Sequence, residues 1–121
     1  MTAFFPGRPV IDAYGGGGFR FAGMSHRGSI LALPSGIYSW NADGAALRPE
    51  DFDSVFAEKA DVDHLLLGTG REMARPPRAV GEAFAERGIT LEIMATGTAV
   101  STYSLLLAER RKVAAALIAI A

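Results

Sequence analysis

The 121-residue sequence contains no cysteine, two histidines and a single tryptophan. Without thiols there can be no disulfide, thiolate zinc site or cysteine nucleophile, and a reducing cytoplasm is a compatible setting. His26 and His64 stand far apart with no metal-ligand spacing between them, so neither a metal nor a cofactor is expected. An excess of one charge is missing too. Lys+Arg 12 against Asp+Glu 13 leaves a formal net charge of -1, and no basic stripe with interleaved aromatics is present to hold a phosphate backbone, which argues against nucleic acid as a partner. Long apolar runs are absent as well: Val113 to Ala121 is about half the ~20 residues that span hydrocarbon. The sequence from Met1 to Arg8 has neither the basic start nor the apolar stretch of a secretory signal. The expectation is therefore a cytoplasmic chain without a transmembrane segment, with peripheral membrane attachment left open.

What is present describes one globular domain over residues 1–121. Hydrophobic residues make up 50% of the chain. Area scaling gives about 18,600 Å² for the unfolded chain and about 6,300 Å² for the folded one, enough burial for a single core.

Val10 to Tyr14 and Phe19 to Ala22 read as two strands around the glycine tetrad Gly15 to Gly18, with His26-Arg27 in a turn beyond them. Gly28 to Leu33 and Ile37 to Trp40 read as further strands around the turn Pro34-Ser35-Gly36. Arg48-Pro49-Glu50-Asp51 opens a helix, since proline suits the first turn and acids suit the positive end of the helix dipole. Phe52, Val55 and Phe56 form its apolar face. Val62 to Leu67 carries Leu65-Leu66-Leu67 without alternation, as a strand covered on both faces does. Pro76-Pro77 opens a second helix that presents Val80, Ala83 and Phe84 inward and closes at Gly88. Ile89 to Ile93 alternates as a strand, and Thr96 or Thr98 caps a third helix. Val113 to Ile120 fits a helix or a buried central strand equally by periodicity. The order places helices on a mixed or partly parallel sheet, with an added N-terminal β layer.

The usual catalytic sets are missing from this pattern, and no catalytic residue is nominated. Gly68-Thr69-Gly70-Arg71 follows a buried strand and precedes a helix, where backbone N–H groups can cradle an anion, although neither the third glycine of a dinucleotide fingerprint nor a P-loop lysine is present. A plain strand-ending turn is the competing reading. Arg71, Arg75 and Arg78 lie within eight positions and could fork onto carboxylates or phosphates, or simply solvate a loop. Ser101 to Ser104 supplies hydroxyls, but no base is nominated to activate them.

The combination of Gly28-Ser29 before an apolar strand, Trp40, Leu65 to Gly70, and Thr102-Tyr103 followed by Leu106, Glu109, Arg111 and Val113 to Ile118 resembles a known small domain family. That family includes mitochondrial respiratory complex I assembly factor 3, the adipogenesis-associated domain proteins, and uncharacterised bacterial and archaeal members. The resemblance covers residues 10–120. It implies a three-layer α/β fold with a central mixed sheet of about five strands, and it turns Val113 to Ile120 from helix to strand. It also implies a non-catalytic role in maturing the membrane-bound NADH dehydrogenase with partner proteins at the inner membrane. Relatives often have Cys and Arg before the Thr-Tyr pair and Asn after it, where this chain has Val100, Ser101 and Ser104, so no thiol stands there; Ala95 replaces a frequent acid.

Two functional readings follow. One is an interaction or assembly module whose partner, a respiratory complex assembly protein among the candidates, binds an exposed apolar patch around Phe19, Phe21 and Tyr38 or the loop carrying Arg71, Arg75 and Arg78. The other is a small-molecule or anion binder, or a weak enzyme, in which Gly68, Thr69, Gly70 and Arg71 face Thr102 or Tyr103. Consumption of the patch by a homo-oligomer is a third outcome.

Overall fold

A computed structural model describes residues 5–121. The chain runs β1 (Phe5–Pro6), β2 (Ile11–Gly15), β3 (Gly18–Phe21), β4 (Met24–Arg27), β5 (Ile30–Leu33), β6 (Gly36–Ser39), α1 (Asp53–Ala57), β7 (His64–Gly68), α2 (Arg78–Glu86), β8 (Thr90–Met94), α3 (Thr96–Ala108) and β9 (Val113–Leu117). Two sheets result. The larger has six strands in the order β1-β6-β5-β9-β7-β8, and the smaller is β2-β3-β4. Its sixth strand, beyond the five expected, is the two-residue β1, whose proline is tolerated because the strand lies at the edge.

The larger sheet is mixed. Hairpin-connected β5 and β6 pair antiparallel, while β7 pairs parallel with both β8 and β9, each parallel partner being reached through a helix. β9 joins the two halves, antiparallel to β5 on one side and parallel to β7 on the other. Val113 to Leu117 is thus a central strand, buried at every position.

Strand alternation sorts the core onto two faces. Leu65, Leu67, Ala114 and Ala116 join Trp40, Phe52, Val55, Val80 and Phe84 on the face covered by α1 and α2. Leu66, Ala115 and Leu117 point the other way, to Phe19, Phe21, Ala99, Val100 and Tyr103 under α3 and the small sheet. The triple leucine therefore serves both layers, and the architecture is three-layered. The accessible surface of 6257 Å² is close to that expected for a folded chain of this mass.

Local details follow the chemistry of the sequence. Gly15 pairs with Gly18, leaving Gly16 and Gly17 at φ +60° and +85°, the pair of positive values that a two-residue type I′ hairpin turn requires. Asp51 accepts the Arg48 backbone N–H at 2.8 Å and the Trp40 indole donates to the Asp51 carbonyl at 2.8 Å, anchoring the short 3₁₀ turn Pro49–Phe52 that leads into α1.

Two expectations are corrected. His26 and Arg27 lie in β4, not in a turn; the run Met24-Ser25-His26-Arg27 is polar because much of this strand faces solvent. Neither Thr96 nor Thr98 caps α3. Ala95 holds the cap position without a side-chain cap, and the Thr96 hydroxyl is used elsewhere.

Candidate functional site

Three parallel strands end together where Gly68 stands level with Met94 and Leu117, and α3 begins at the same corner. Carboxyl ends of parallel strands are where ligands gather in α/β sheets, because helix N-termini and loop amides converge there. Here much of that hydrogen-bonding capacity is directed inward. The Thr69 amide donates to the Met94 carbonyl at 2.9 Å and the Gly70 amide to Thr96 Oγ1 at 2.9 Å. The Gly68 carbonyl accepts from the Ile118 amide at 2.9 Å. Thr69 Oγ1 donates to the Glu72 carbonyl at 3.0 Å and accepts the Ala74 amide at 2.9 Å, folding the following loop back on the turn.

Thr96 is the hub. Its hydroxyl accepts from Gly70 and donates to the Ile118 carbonyl at 2.7 Å, and its own amide donates to the Gly70 carbonyl at 2.8 Å. One fully buried side chain thereby ties the start of α3 to the chain leaving β7 and to the chain leaving β9.

Beside this corner lies an open cleft of about 560 Å³ lined by Tyr14, Arg71, Gly97, Thr98, Ser101 and Ala121 among others. Gly97 leaves room for Tyr14, whose ring and hydroxyl occupy the space a Cβ there would take. Arg71 reaches into the cleft and donates from Nη2 to the Ala121 carbonyl oxygen at 3.1 Å. The combination of a guanidinium with the first turn of a 13-residue helix favours negative charge.

Of the residues singled out from sequence, Gly68, Thr69, Gly70 and Arg71 form one continuous turn at this corner, and Arg71 enters the cleft. Thr102 and Tyr103 do not line it. Tyr103 is wholly buried on the inner face of α3. Burial pushes its phenol above the ordinary value, opposed by the nearby Arg8 guanidinium. The hydroxyl faces that guanidinium without a well-formed hydrogen bond, and Arg8 Nη2 donates instead to the Val113 carbonyl at 2.5 Å.

Arg71, Arg75 and Arg78 are exposed, with Met73 between them at 51%. Arg78 pairs with Glu82 one helical turn on, at 3.3 Å. Phe19, Phe21 and Tyr38 are a correction. They are 2%, 0% and 9% exposed, because the small sheet lays its aromatic face onto α3 and the large sheet, and Tyr38 packs into the opposite core with its hydroxyl bonded to Ser35. These three rings form core, so they present no patch to a partner. Sequence reasoning also passed over Tyr14 and Thr98 as parts of the cleft. The signal for Thr98 was its place in the first turn after a parallel strand, whereas Tyr14 arrives through the packing of a separate sheet.

His64 Nδ1 lies 3.9 Å from Glu92 on the neighbouring strand. No group of three or more His, Cys, Asp or Glu side chains among the described residues is placed to hold a metal ion.

Comparison with known proteins fixes the relationship. Residues 11–118 match a family described as protein of unknown function (DUF498/DUF598). The chain belongs to that family. An uncharacterised protein of Rhodobacter capsulatus is 38% identical over 116 residues, covering 94% of this chain and 87% of that protein. NADH dehydrogenase (ubiquinone) 1 alpha subcomplex assembly factor 3 of Mus musculus is 30% identical over 98% of this chain, which spans 64% of that longer protein. A crystal structure described as an outer membrane protein from Bartonella henselae superposes with a TM-score of 0.93 at 50% identity, covering 97% of this chain and 99% of that one. Among the described residues of this DUF498/DUF598 family member, no helix is long and apolar enough to cross a membrane.

Proposed function

We propose that this DUF498/DUF598 domain is an interaction module that serves the assembly of a membrane-associated complex, respiratory complex I being the leading candidate. The observation that carries the reading is the similarity, at 30% identity over 98% of the chain, to an assembly factor of the mitochondrial NADH dehydrogenase. The fold supplies a suitable surface. The loop between β7 and α2 projects Arg71, Arg75 and Arg78 with Met73 among them, and arginine and methionine are enriched at protein interfaces.

The test is affinity capture of the tagged chain from native lysate in mild detergent, compared with an R71A/R75A/R78A variant. Recovery of NADH dehydrogenase subunits or assembly proteins by the parent chain, lost in the variant, is the expected result. Equal recovery by both would move the contact away from this loop, and capture of no such protein by either would reject the assembly reading. Sedimentation of the pure chain distinguishes a hetero-partner from self-association.

A second reading is favoured by the cleft at the start of α3, where Arg71, Thr98 and Ser101 present one cation and two hydroxyls to a small anion. A thermal-shift series with carboxylate and phosphate metabolites tests it, since a ligand that binds only the native state raises the melting temperature by mass action.

A further inference from the structure

The small sheet turns one face inward and leaves the other uncovered. Cross-strand register assigns each residue to a face, because directly opposed residues share one. Phe19 opposes Tyr14 and His26, and Phe21 opposes Ile11 and Met24; on this side Ile11, Phe19 and Phe21 are buried in the core, with Tyr14 and Met24 partly exposed at its rim. On the outer side Arg20 opposes Ala13 and Ser25, while Gly18 opposes Gly15 and Arg27.

That outer side has two large residues, both arginines, over a floor of glycine, alanine and serine. The result is a trough of about 420 Å³, with the small residues Ala13, Gly15 and Ser25 in its floor, Tyr14 and His26 also in its lining, and Arg20 and Arg27 at its sides. Neither guanidinium has an ion pair or side-chain hydrogen bond among the described residues. The cross-strand neighbours that would normally hold an acid are Ala13, Ser25 and Gly18, and the only acid between residues 5 and 28 is Asp12 at the β-bulge. In a chain of net charge -1, two arginines without an acid partner among the described residues, on one face among small residues, are a local excess of positive charge.

We infer that this trough is the docking face for an acidic segment of a partner protein, with carboxylates forked onto Arg20 and Arg27. The inference rests on the interaction-module reading and adds to the loop of Arg71, Arg75 and Arg78 a second contact of stated chemistry. Guanidinium presents planar paired donors that match a carboxylate. The floor of small residues lets an extended peptide main chain approach closely, which a wall of large side chains would prevent. The trough is larger than one free carboxylate or phosphate needs. Two arginines fall well short of the cluster of about 4–8 basic residues that marks an anionic membrane site. The trough also adjoins the cleft at α3, for both are lined by Tyr14 and Gly15, so a bound strand can continue toward Arg71.

The experiment uses the full chain and a fluorescein-labelled peptide of alternating Glu and Ala, with inorganic phosphate and phosphatidylglycerol vesicles as separate arms. The peptide is expected to shift the amide resonances of Ala13, Gly18, Arg20 and Ser25. R20Q/R27Q should weaken it by about tenfold or more, since each forked contact is charge-assisted, whereas R48Q/K59Q, at two exposed cations outside either surface, leaves it unchanged. Both arginines of the test pair are exposed, so thermal melts of R20Q/R27Q should match the parent chain. Three results overturn the inference: shifts confined elsewhere, equal weakening by the control pair, or dependence on Arg20 and Arg27 for phosphate or vesicles but not for peptide. If the peptide fails while complex I proteins are still captured from lysate, the interaction reading stands and this face is wrong; if capture fails too, both fall.

Discussion

Replacing Thr96 by valine tests whether the corner at the strand ends is held by one hydroxyl. Valine keeps both branches of the side chain and removes only the oxygen, so the buried shape is conserved while two hydrogen bonds vanish, from the Gly70 amide and to the Ile118 carbonyl. Gly70 and Ile118 are partly exposed, so water reaches the orphaned groups, and each loss costs about 1 kcal/mol rather than the ~3 kcal/mol of a sealed one. The sum is about 2 kcal/mol. With an unfolding entropy of about 250 cal/mol/K for a chain of this length, that lowers Tm by about 8 °C. Thr96→Ser keeps the hydroxyl and loses a methyl, a cost of about 1 kcal/mol. Urea unfolding at equilibrium measures both, and the m-value should not change. Faster hydrogen exchange at the Gly70 amide in the valine variant alone would localise the effect. A valine variant within about 0.5 kcal/mol of the parent, inside the ordinary scatter of surface changes, would refute the reasoning, as would a serine variant equally destabilised.

Other outcomes follow from the same contacts. Leu66→Ala empties the α3 side of a strand buried on both faces and should cost about 2–5 kcal/mol in urea unfolding. Tyr103 has its phenol raised by burial in the native state; the unfolded chain therefore ionises first as pH passes about 10, and stability falls as pH rises through the native value. Urea midpoints at increasing alkalinity should show this loss, and Tyr103→Phe should flatten it. Trp40→Phe removes the indole bond to the Asp51 carbonyl and should cost about 1–3 kcal/mol, read by thermal melting. Gly97→Ala should displace the half-exposed Tyr14 ring, seen as a change in its aromatic resonances, with about 1 kcal/mol or less of stability lost because the ring is free to swing outward.

Much of the architecture was legible because burial leaves a periodic trace. Leu65-Leu66-Leu67 reads as a doubly covered strand and is one, with alternate leucines assigned to opposite layers. Pro77 and Gly88 bracket the second helix as punctuation residues should. Val113 to Leu117 was not legible from period, since alanine suits a helix and a thin central strand alike; the family resemblance decided it. Met24 to Arg27 escaped because a strand at the edge of a small sheet shows solvent a polar sequence with no apolar alternation. At the site, Gly68 to Arg71 could be read from the sequence as a glycine turn carrying a cation at the end of a buried strand. The central role of Thr96 was not, because it depends on three chain segments converging, and Phe19 and Phe21 were misplaced on the surface because a two-sided sheet does not announce which face it buries.

The position of β9 also governs how this chain can reach its native state. Every backbone pairing between the antiparallel hairpin and the parallel half of the large sheet passes through residues 113–117, the last strand described, which must insert between β5 and β7. A chain emerging during synthesis therefore carries two open, strongly apolar strand edges until these residues arrive. Completion is a late, long-range event, with β5 and β9 separated by some eighty positions, so slow closure of a high-contact-order sheet is expected to limit the folding rate. Interruptions of synthesis ahead of Val113 would leave material prone to aggregate, whereas changes confined to the small sheet should leave this closing step intact.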